Sequence, residues 1–313
     1  MHPAPAHTPL PDIAVLGLGG TIAGTATGDP TLPGYTAGVL GVDDLLQRIP
    51  SLARLARLHT EQVANIDSKD MGFALWTRLA ARVAHWLEQP HIRGCVITHG
   101  TDTLEETAYL LQLVHRSPKP VVLTAAMRPA TALDADGPQN LLDAVRVAVQ
   151  APDIGVVCVM HGRVHAARDV TKASTHRVDA FSSGERGPLG EIDGTGLRLW
   201  RQPVAEAGAP FALPSAEAWP RVEVVRNQAG ADGAVVRCLL DCAGLQPPLR
   251  GLVVAGTGGG TVHDDLATAL EQARSMGVRV EVASRVGPVH GGAYDGLNVD
   301  KLRVRLILEL ARA

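Results

Sequence analysis

The sequence predicts an α/β fold: a large amino-terminal domain with a mainly parallel sheet and helices on both faces, followed by a smaller α/β domain. Short apolar runs that end in glycine or turn residues are typical of buried strands. They alternate with segments whose apolar residues recur at helical spacing. Strands that alternate with helices need crossover connections, which give a mainly parallel sheet. With 46% hydrophobic and 19% charged residues, the chain can bury a real core.

Six apolar runs are predicted to be strands: 13–17, 94–98, 120–125, 155–160, 251–255 and 278–283. Helical spacing predicts six helices: 41–49, 70–88, 103–115, 136–149, 263–276 and 298–312. The helix over 103–115 begins with Thr103-Leu104-Glu105-Glu106, which fits a capping box. In folds of this class, ligands bind beyond the carboxyl ends of the strands.

A stretch rich in proline, glycine and alanine interrupts the alternation at residues 201–220. This composition suits an interdomain linker. A chain of 313 residues also favours two domains. We therefore predict an N-terminal domain over 1–200 that carries the functional residues, a linker over 201–220, and a smaller α/β domain over 221–313.

Composition argues against several classes of function. The net charge of −3, the lack of a Lys/Arg stripe and an aromatic content of only 3% disfavour nucleic-acid binding. No apolar run approaches the roughly 20 residues that span a bilayer. Residues 1–7 lack the basic and apolar segments of a signal peptide. We therefore expect a cytoplasmic protein without a membrane partner.

The four cysteines do not predict a metal site. Cys95 and Cys158 lie inside apolar strand-like runs, where packing in the core is the expected role. Cys238 and Cys242 are four residues apart and could form half of a metal site. No matching Cys or His pair stands at a zinc spacing, so we expect no metal.

The most informative feature is a pair of junctions at which a strand-like run ends in glycine and leads directly into threonine. The first is Gly19-Gly20-Thr21, and the second is His99-Gly100-Thr101-Asp102. A hydroxyl at such a junction lies beside free backbone N–H groups at the carboxyl edge of a sheet. Two of them, one with an adjacent carboxylate, indicate a pair of hydroxyls that act on one small substrate.

The second junction carries the clearer chemistry. Threonine needs a nearby base or cation to become a nucleophile, and Asp102 and the start of the following helix are adjacent to Thr101. The alternative is that Thr101 or Thr103 only caps that helix. Lys172 is a candidate base or orienting cation, or a solvated surface lysine. Side chains at neighbouring strand positions point to opposite faces, which favours a structural role for His99 over that of the base.

Other glycine-rich segments have weaker interpretations. Residues 17–22 and 256–261 resemble nucleotide-binding loops, but each lacks the third glycine of the dinucleotide fingerprint, and 17–22 also lacks a phosphate-loop ending. Residues 23–36 are small, polar and glycine-rich, and follow Thr21 directly. They are predicted to be either a mobile lid or an ordinary surface loop.

Together these motifs resemble the bacterial L-asparaginase/glutaminase family. The resemblance runs in order from about residue 13 to 190 and is most specific over 97–108, whose form is closer to the type II branch. The matching segments are Gly19-Gly20-Thr21-Ile22-Ala23, Thr98-His99-Gly100-Thr101-Asp102-Thr103-Leu104-Glu105-Glu106-Thr107-Ala108, Ala126-Met127-Arg128-Pro129, Asp136-Gly137-Pro138 and Arg168-Asp169-Val170-Thr171-Lys172.

The resemblance implies a role for each matching position. Thr21 matches the primary nucleophile, and Tyr35 the loop tyrosine that helps to activate it. Thr101, Asp102 and Lys172 match the second catalytic cluster. The remaining matches imply a substrate-binding set: Gly20, Asp67, Ser68, which holds the α-carboxylate, Lys69, Gly100 and Ala126, a backbone contact to the amide. The resemblance further implies hydrolysis of the asparagine side-chain amide through a threonine acyl-enzyme, with no cofactor, in a homotetramer or homodimer.

Two features depart from the family pattern. Lys69 stands where type II members commonly carry Gln or Glu, and its cation would repel a substrate ammonium unless the side chain turns away. Residues 287–296 are compact and contain only Asp295 where relatives present a longer acidic loop. These departures motivate one alternative, a non-catalytic relative that binds an acidic amino acid. The other alternative is a dual-specificity glutaminase-asparaginase, because the two amide substrates differ by only one methylene.

Overall fold

The computed structural model describes residues 9–26, 34–204, 206, 208–215, 217–242, 244–287, 289 and 294–312. The strands in these residues are β1 (Asp12–Gly19), β2 (Thr25–Ala26), β3 (Tyr35–Thr36), β4 (Arg57–Ile66), β5 (Ile92–Thr98), β6 (Val121–Thr124), β7 (Val156–Met160), β8 (Arg163–Ala166), β9 (Thr171–Lys172), β10 (Phe181–Ser182), β11 (Gly190–Asp193), β12 (Gly196–Leu199), β13 (Arg221–Arg226), β14 (Leu249–Gly256) and β15 (Arg279–Ser284). The α-helices are α1 (Val42–Gln47), α2 (Phe73–Glu88), α3 (Leu104–Val114), α4 (Gly137–Gln150), α5 (Ala234–Asp241), α6 (Asp264–Ser275) and α7 (Val299–Ala311).

The larger sheet has eight strands in the order β12-β11-β8-β7-β6-β5-β1-β4. Its five strands from β4 to β7 are parallel, and β8, β11 and β12 extend it with antiparallel pairs. Helix α4 packs on β1, β5, β6 and β7, whereas α2 packs on β4 and β5. The predicted α/β class with a mainly parallel sheet is therefore confirmed.

Both faces of the central strands are buried. In β1, Ile13 and Val15 belong to the cluster that contains α1 and α4, and Ala14 and Leu16, which alternate with them, are also fully buried. Burial on both faces produces the continuous apolar runs by which these strands were predicted. Because the central strands are parallel, their carboxyl ends meet at one edge of the sheet, where the two glycine–threonine junctions lie.

The smaller sheet has the order β13-β14-β15, and both of its strand pairs are parallel. Its core joins Val225, Leu252 and Val254 to α5 and α6, while α7 packs on all three strands. The predicted smaller α/β domain is confirmed in its class. Among the described residues, no helix combines the length and apolar character needed to cross a membrane.

The chain divides into two compact units at residues 108/109, 114/115 and 205/206, so that 109–114 group with 206–313. The predicted domain limits at 200 and 220 stay a prediction. Part of the predicted linker is packed within the second unit. Phe211 donates its backbone N–H to Leu113 O at 2.9 Å, and the Arg312 guanidinium lies 3.9 Å from the centre of its ring.

Strand β4 is the longest element that the sequence pattern does not predict. It forms an edge of the larger sheet, and its sequence is mostly polar, whereas the predicted strands are apolar runs. Arg57 and His59 both bond to Asp12, at 2.6 and 2.8 Å. The Arg82 guanidinium donates two hydrogen bonds to the Glu61 carboxylate, one to each oxygen. Neighbouring side chains thus satisfy the polar groups of β4, a long-range effect that local periodicity does not report.

Two histidines of the first unit are buried and held neutral. His99 is fully buried, and burial lowers its pKa to about 4. His165 is 3% exposed, its Nδ1 lies 2.8 Å from Ser183 Oγ, and burial likewise lowers its pKa to about 4. Each ring is therefore uncharged at neutral pH.

These histidines should make the folded state sensitive to acid. The unfolded chain binds protons at a histidine pKa of about 6.5, whereas the folded chain binds them only near pH 4. We expect the free energy of unfolding to fall as pH drops from 6.5 to 4, by roughly 3 kcal/mol per histidine at the lower limit. Urea unfolding at several pH values measures this fall. His165→Asn should flatten it, and an unchanged slope in that variant would contradict the assignment.

Candidate active site

The first threonine lies on a turn that two glycines make possible. Strand β1 ends at Gly19, Gly19 and Gly20 have φ of 92° and 77°, and a 3₁₀ turn follows over Thr21–Ala23. Residues with a Cβ rarely adopt such angles. Thr21 is 5% exposed, and its Oγ1 lies 2.7 Å from the Tyr35 hydroxyl.

Tyr35 reaches Thr21 from a short hairpin. It lies in β3, which pairs with β2 through only two residues on each strand. Its side chain is 45% exposed. The predicted lid over 23–36 falls partly outside the described residues, because 27–33 are not described. The described ends of that segment bring a phenol to the Thr21 hydroxyl.

The second threonine is held by Lys172. Thr101 follows the end of β5 and is 6% exposed. Lys172 Nζ, on β9, donates to Thr101 Oγ1 at 2.7 Å and lies 2.6 Å from Asp102 Oδ1. The lysine side chain is only 18% exposed, whereas that of Asp102 is 51% exposed. A cation beside a hydroxyl lowers the cost of removing its proton, and a carboxylate beside the cation keeps it in place.

The two threonine turns are in direct contact. A Cβ on Gly20 would lie 2.3 Å from Gly100 Cα, and a Cβ on Gly100 would lie 2.5 Å from Ser68 Oγ. No side chain fits at either glycine, so the segments that carry Thr21, Ser68 and Thr101 close on one another. The structure therefore brings the two threonine-bearing turns and the Ser68 segment into direct contact.

Ser68 ties its own segment to the second junction. It is 2% exposed and accepts the Asp102 backbone N–H at its Oγ, at 3.1 Å. The Thr103 hydroxyl donates to the Ser68 carbonyl oxygen at 2.8 Å. Because Ser68 Oγ accepts the amide, its own proton can be donated to a substrate oxygen.

Lys69 turns toward two neighbouring carboxylates. Its Nζ lies 2.7 Å from Asp70 Oδ2 and 3.4 Å from Asp67 Oδ2. The hydrogen bond to Asp70 raises the pKa of this lysine, which is 62% exposed. The charge of Lys69 is thus partly neutralised. Its ion pair also engages the carboxylate of Asp67, one of the predicted substrate-binding residues.

Ala126 is fixed by a set of backbone bonds that the sequence interpretation did not include. Asp136 accepts the N–H groups of Met127 and Arg128, both at 3.0 Å, and Asn140 Nδ2 donates to Ala125 O at 3.0 Å. A Cβ on Gly137 would lie 2.9 Å from Ile22 Cγ1 and 3.4 Å from Ala126 Cβ. Asp136 and Gly137 belong to the segment Asp136-Gly137-Pro138, which resembles the family pattern but has no role implied by that resemblance. They pack the Ala126 segment against the residue that follows Thr21.

His99 has a structural set of partners. Its Nδ1 lies 2.6 Å from Gly100 O, and a carbonyl can only accept, so Nδ1 carries the proton. Nε2 of the neutral ring then accepts from the Thr107 hydroxyl at 3.0 Å, and that hydroxyl accepts from Trp76 Nε1 at 3.0 Å. This chain supports the structural interpretation of His99.

The described residues contain no cluster of three His, Cys, Asp or Glu side chains arranged to hold a metal ion. Cys238 and Cys242 are exposed, and Cys95 and Cys158 are buried. The groups assembled at the site are therefore hydroxyls, a lysine and carboxylates, which suit acyl transfer at an amide or ester carbonyl.

A profile of the family described as "Asparaginase, N-terminal" matches residues 12–205. The chain belongs to the asparaginase family. It is 40% identical to L-asparaginase 2 of Escherichia coli (strain K12) over 88% of this chain and 78% of that protein. It is 36% identical to L-asparaginase 2 of Bacillus subtilis (strain 168), over 97% and 83% of the two chains.

Two further comparisons bear on fold and specificity. A crystal structure of a probable cytoplasmic L-asparaginase from Campylobacter jejuni superposes with a TM-score of 0.88, at 38% identity, over 97% of this chain and 96% of that one. A glutaminase-asparaginase of Pseudomonas fluorescens biotype A is 34% identical over 89% of this chain and 76% of its own length. The predicted family is thus confirmed.

The contact between the two turns gives a direct mutational test. Gly20→Ala adds both the strain of a positive φ, about 1–2 kcal/mol, and a methyl group that collides with Gly100. Gly155→Ala is a matched control, because Gly155 has φ of 75° but nothing within 4 Å of its Cβ position. We expect Gly155→Ala to lose stability with normal turnover, and Gly20→Ala to lose turnover by more than about tenfold. Equal turnover in the two variants would contradict the close approach.

Proposed function

We propose that this protein is an L-asparaginase, an amidohydrolase that converts L-asparagine and water to L-aspartate and ammonia. The observation that carries the proposal is the contact of Gly20 with Gly100, which brings together two turns whose threonine hydroxyls have different partners. The named relatives support the same activity, since three of them are L-asparaginases or a probable one. The substrate is a small molecule.

The proposed reaction has two stages. Thr21 Oγ1 attacks the side-chain carbonyl carbon, and its proton moves to the Tyr35 oxygen 2.7 Å away while the tyrosine hydroxyl releases its own proton toward the leaving nitrogen, so that a tetrahedral adduct forms. The adduct collapses by breaking the carbon–nitrogen bond, and the leaving nitrogen takes up a proton to depart as ammonia. Water then attacks the ester carbonyl, which releases aspartate and restores the Thr21 hydroxyl.

We assign proton handling during these steps to Thr101, Lys172 and Asp102. The Lys172 ammonium donates to Thr101 Oγ1, which lowers the cost of removing the threonine proton. Asp102 is the anion that holds this cation and the group available to a substrate ammonium. Ser68 would bind the α-carboxylate through its free proton, with Gly20, Gly100 and Ala126 forming the walls of the pocket.

Removal of either hydroxyl should stop the reaction. Thr21→Ala removes the nucleophile and Thr101→Val removes a member of the proton path, so each should lower kcat by at least about 10³-fold. Thr268→Val is the control, because that exposed hydroxyl only donates to Asp264 O within α6. Ammonia release from asparagine measures all three. Full turnover in both site variants would overturn the assignment of roles.

Glutamine is the second candidate substrate, favoured by the glutaminase-asparaginase relative. One extra methylene changes binding by only about 1–3 kcal/mol. The kcat/KM values for the two amides rank the substrates. Calorimetric binding of aspartate without ammonia release from either amide would instead establish a binding protein.

Lys69 should weaken asparagine binding. The Lys69 ammonium forms an ion pair with Asp67 and lies on the side where a substrate ammonium is expected. We therefore expect Lys69→Gln to lower KM about threefold or more, with little change in kcat. Asp70→Asn should act in the opposite direction, because it frees the cation from its shorter ion pair and leaves more positive charge near the site. KM at low and high salt tests the charge origin. A higher KM in Lys69→Gln would show that Lys69 itself binds substrate.

We further propose that the protein works in the cytoplasm as a homotetramer or homodimer, with the site near a subunit interface. The family membership supports this assembly. Light scattering at the concentrations used for the activity assay determines the number of chains.

A further inference from the structure

A buried carboxylate lies beside the second threonine junction and has no role in the proposed reaction. Glu105 is in the first turn of α3 and is 8% exposed. Its Oε1 accepts from the Thr171 hydroxyl at 3.0 Å and lies 3.4 Å from the Lys172 backbone nitrogen, which donates to it. Both partners form β9, the two-residue strand that carries the catalytic lysine.

Strand β9 is attached to the start of α3 at two points. The Lys172 side chain ends on Thr101, and the Lys172 backbone is bound to Glu105, four residues further along the chain. The only sheet partner of β9 among the described residues is β10, through the pairs Phe181–Lys172 and Ser182–Thr171. So short a ladder specifies the place of a strand weakly, because few bonds oppose its displacement.

A carboxylate suits this place. The first turn of a helix favours negative charge, and an ionised carboxylate accepts stronger hydrogen bonds than a neutral oxygen. Replacing Glu105 by an apolar residue would leave the Thr171 hydroxyl and the Lys172 N–H without this acceptor. The strand would then lose these two attachments to α3, and the Lys172 ammonium would be held in place less firmly.

We propose that Glu105 is a positioning residue, which fixes β9 on α3 so that Lys172 Nζ stays at the Thr101 hydroxyl. The bonds of Glu105 to the Thr171 hydroxyl and to the Lys172 backbone are the means by which it would act. It acts through Lys172, and this inference rests on the proposed function for its kinetic readout alone.

Kinetics of four variants test the proposal. Glu105→Leu should lower kcat at least about tenfold with KM within twofold, and Thr171→Val, which removes only the hydroxyl, should lower it about threefold. Glu105→Gln should stay within about threefold of the wild type, because the amide oxygen still accepts both bonds. In a Lys172→Met background, Glu105→Leu should cost nothing further, because the lysine through which it acts is gone.

Equal fold losses from Glu105→Leu in the presence and absence of Lys172 would overturn the proposal, as would a rise in KM with unchanged kcat. If Glu105→Leu does not fold, as judged by circular dichroism and gel filtration, Thr171→Val in the same two backgrounds provides the same comparison.

A second readout does not depend on turnover. The chain has four lysines, Lys69, Lys119, Lys172 and Lys301, so a ¹³C-lysine spectrum is simple and Lys172→Met assigns the signal of interest. We expect this signal to move toward that of an exposed lysine in Glu105→Leu and Thr171→Val but not in Glu105→Gln. If the wild type released no ammonia, the proposed function would fail while this spectrum still decided the positioning. An unmoved signal in both variants would overturn it.

Discussion

The site depends on the absence of two side chains. Gly20 and Gly100 approach so closely that a single methyl group on either would overlap backbone or Ser68. The approach is possible because β1 and β5 are adjacent parallel strands whose carboxyl ends lie side by side. Both glycines come directly before the threonines, so the separation of the two threonine backbones is set by direct packing of backbone on backbone.

The two hydroxyls are held in different ways. Thr21 depends on a tyrosine from a short, half-exposed hairpin, whereas Thr101 depends on a lysine that is mostly buried and bonded at both ends. Buried polar contacts are stronger and harder to rearrange than exposed ones. The contact between Thr21 and Tyr35 is therefore easier to displace than the contact between Thr101 and Lys172.

Much of this arrangement could be predicted from the sequence, because buried parallel strands and helix periodicity are local signals. All six predicted strands and all six predicted helices lie at or near observed elements. β4, β13, α5 and the short strands β2, β3 and β8 to β12 were not predicted, since their polar residues or short length hide the pattern. The residues near the threonines were found through a resemblance over many positions. The roles of these residues stay predictions. The hydrogen bonds of Glu105, Asp136 and Asn140 could be found only from the tertiary structure, because each bond joins segments that are distant in the chain.

The small hairpin also bears on how this family can diversify. The pairs Thr25–Thr36 and Ala26–Tyr35 fix the place of the phenol, while eight residues, 27–34, connect the two strands. Loop closure becomes more costly only slowly with length, by about 0.6 kcal/mol for each doubling. Insertions or deletions in the connection can therefore accumulate with little effect on where Tyr35 meets Thr21. Substrate range could thus drift through changes in loop length while the chemistry stays constant.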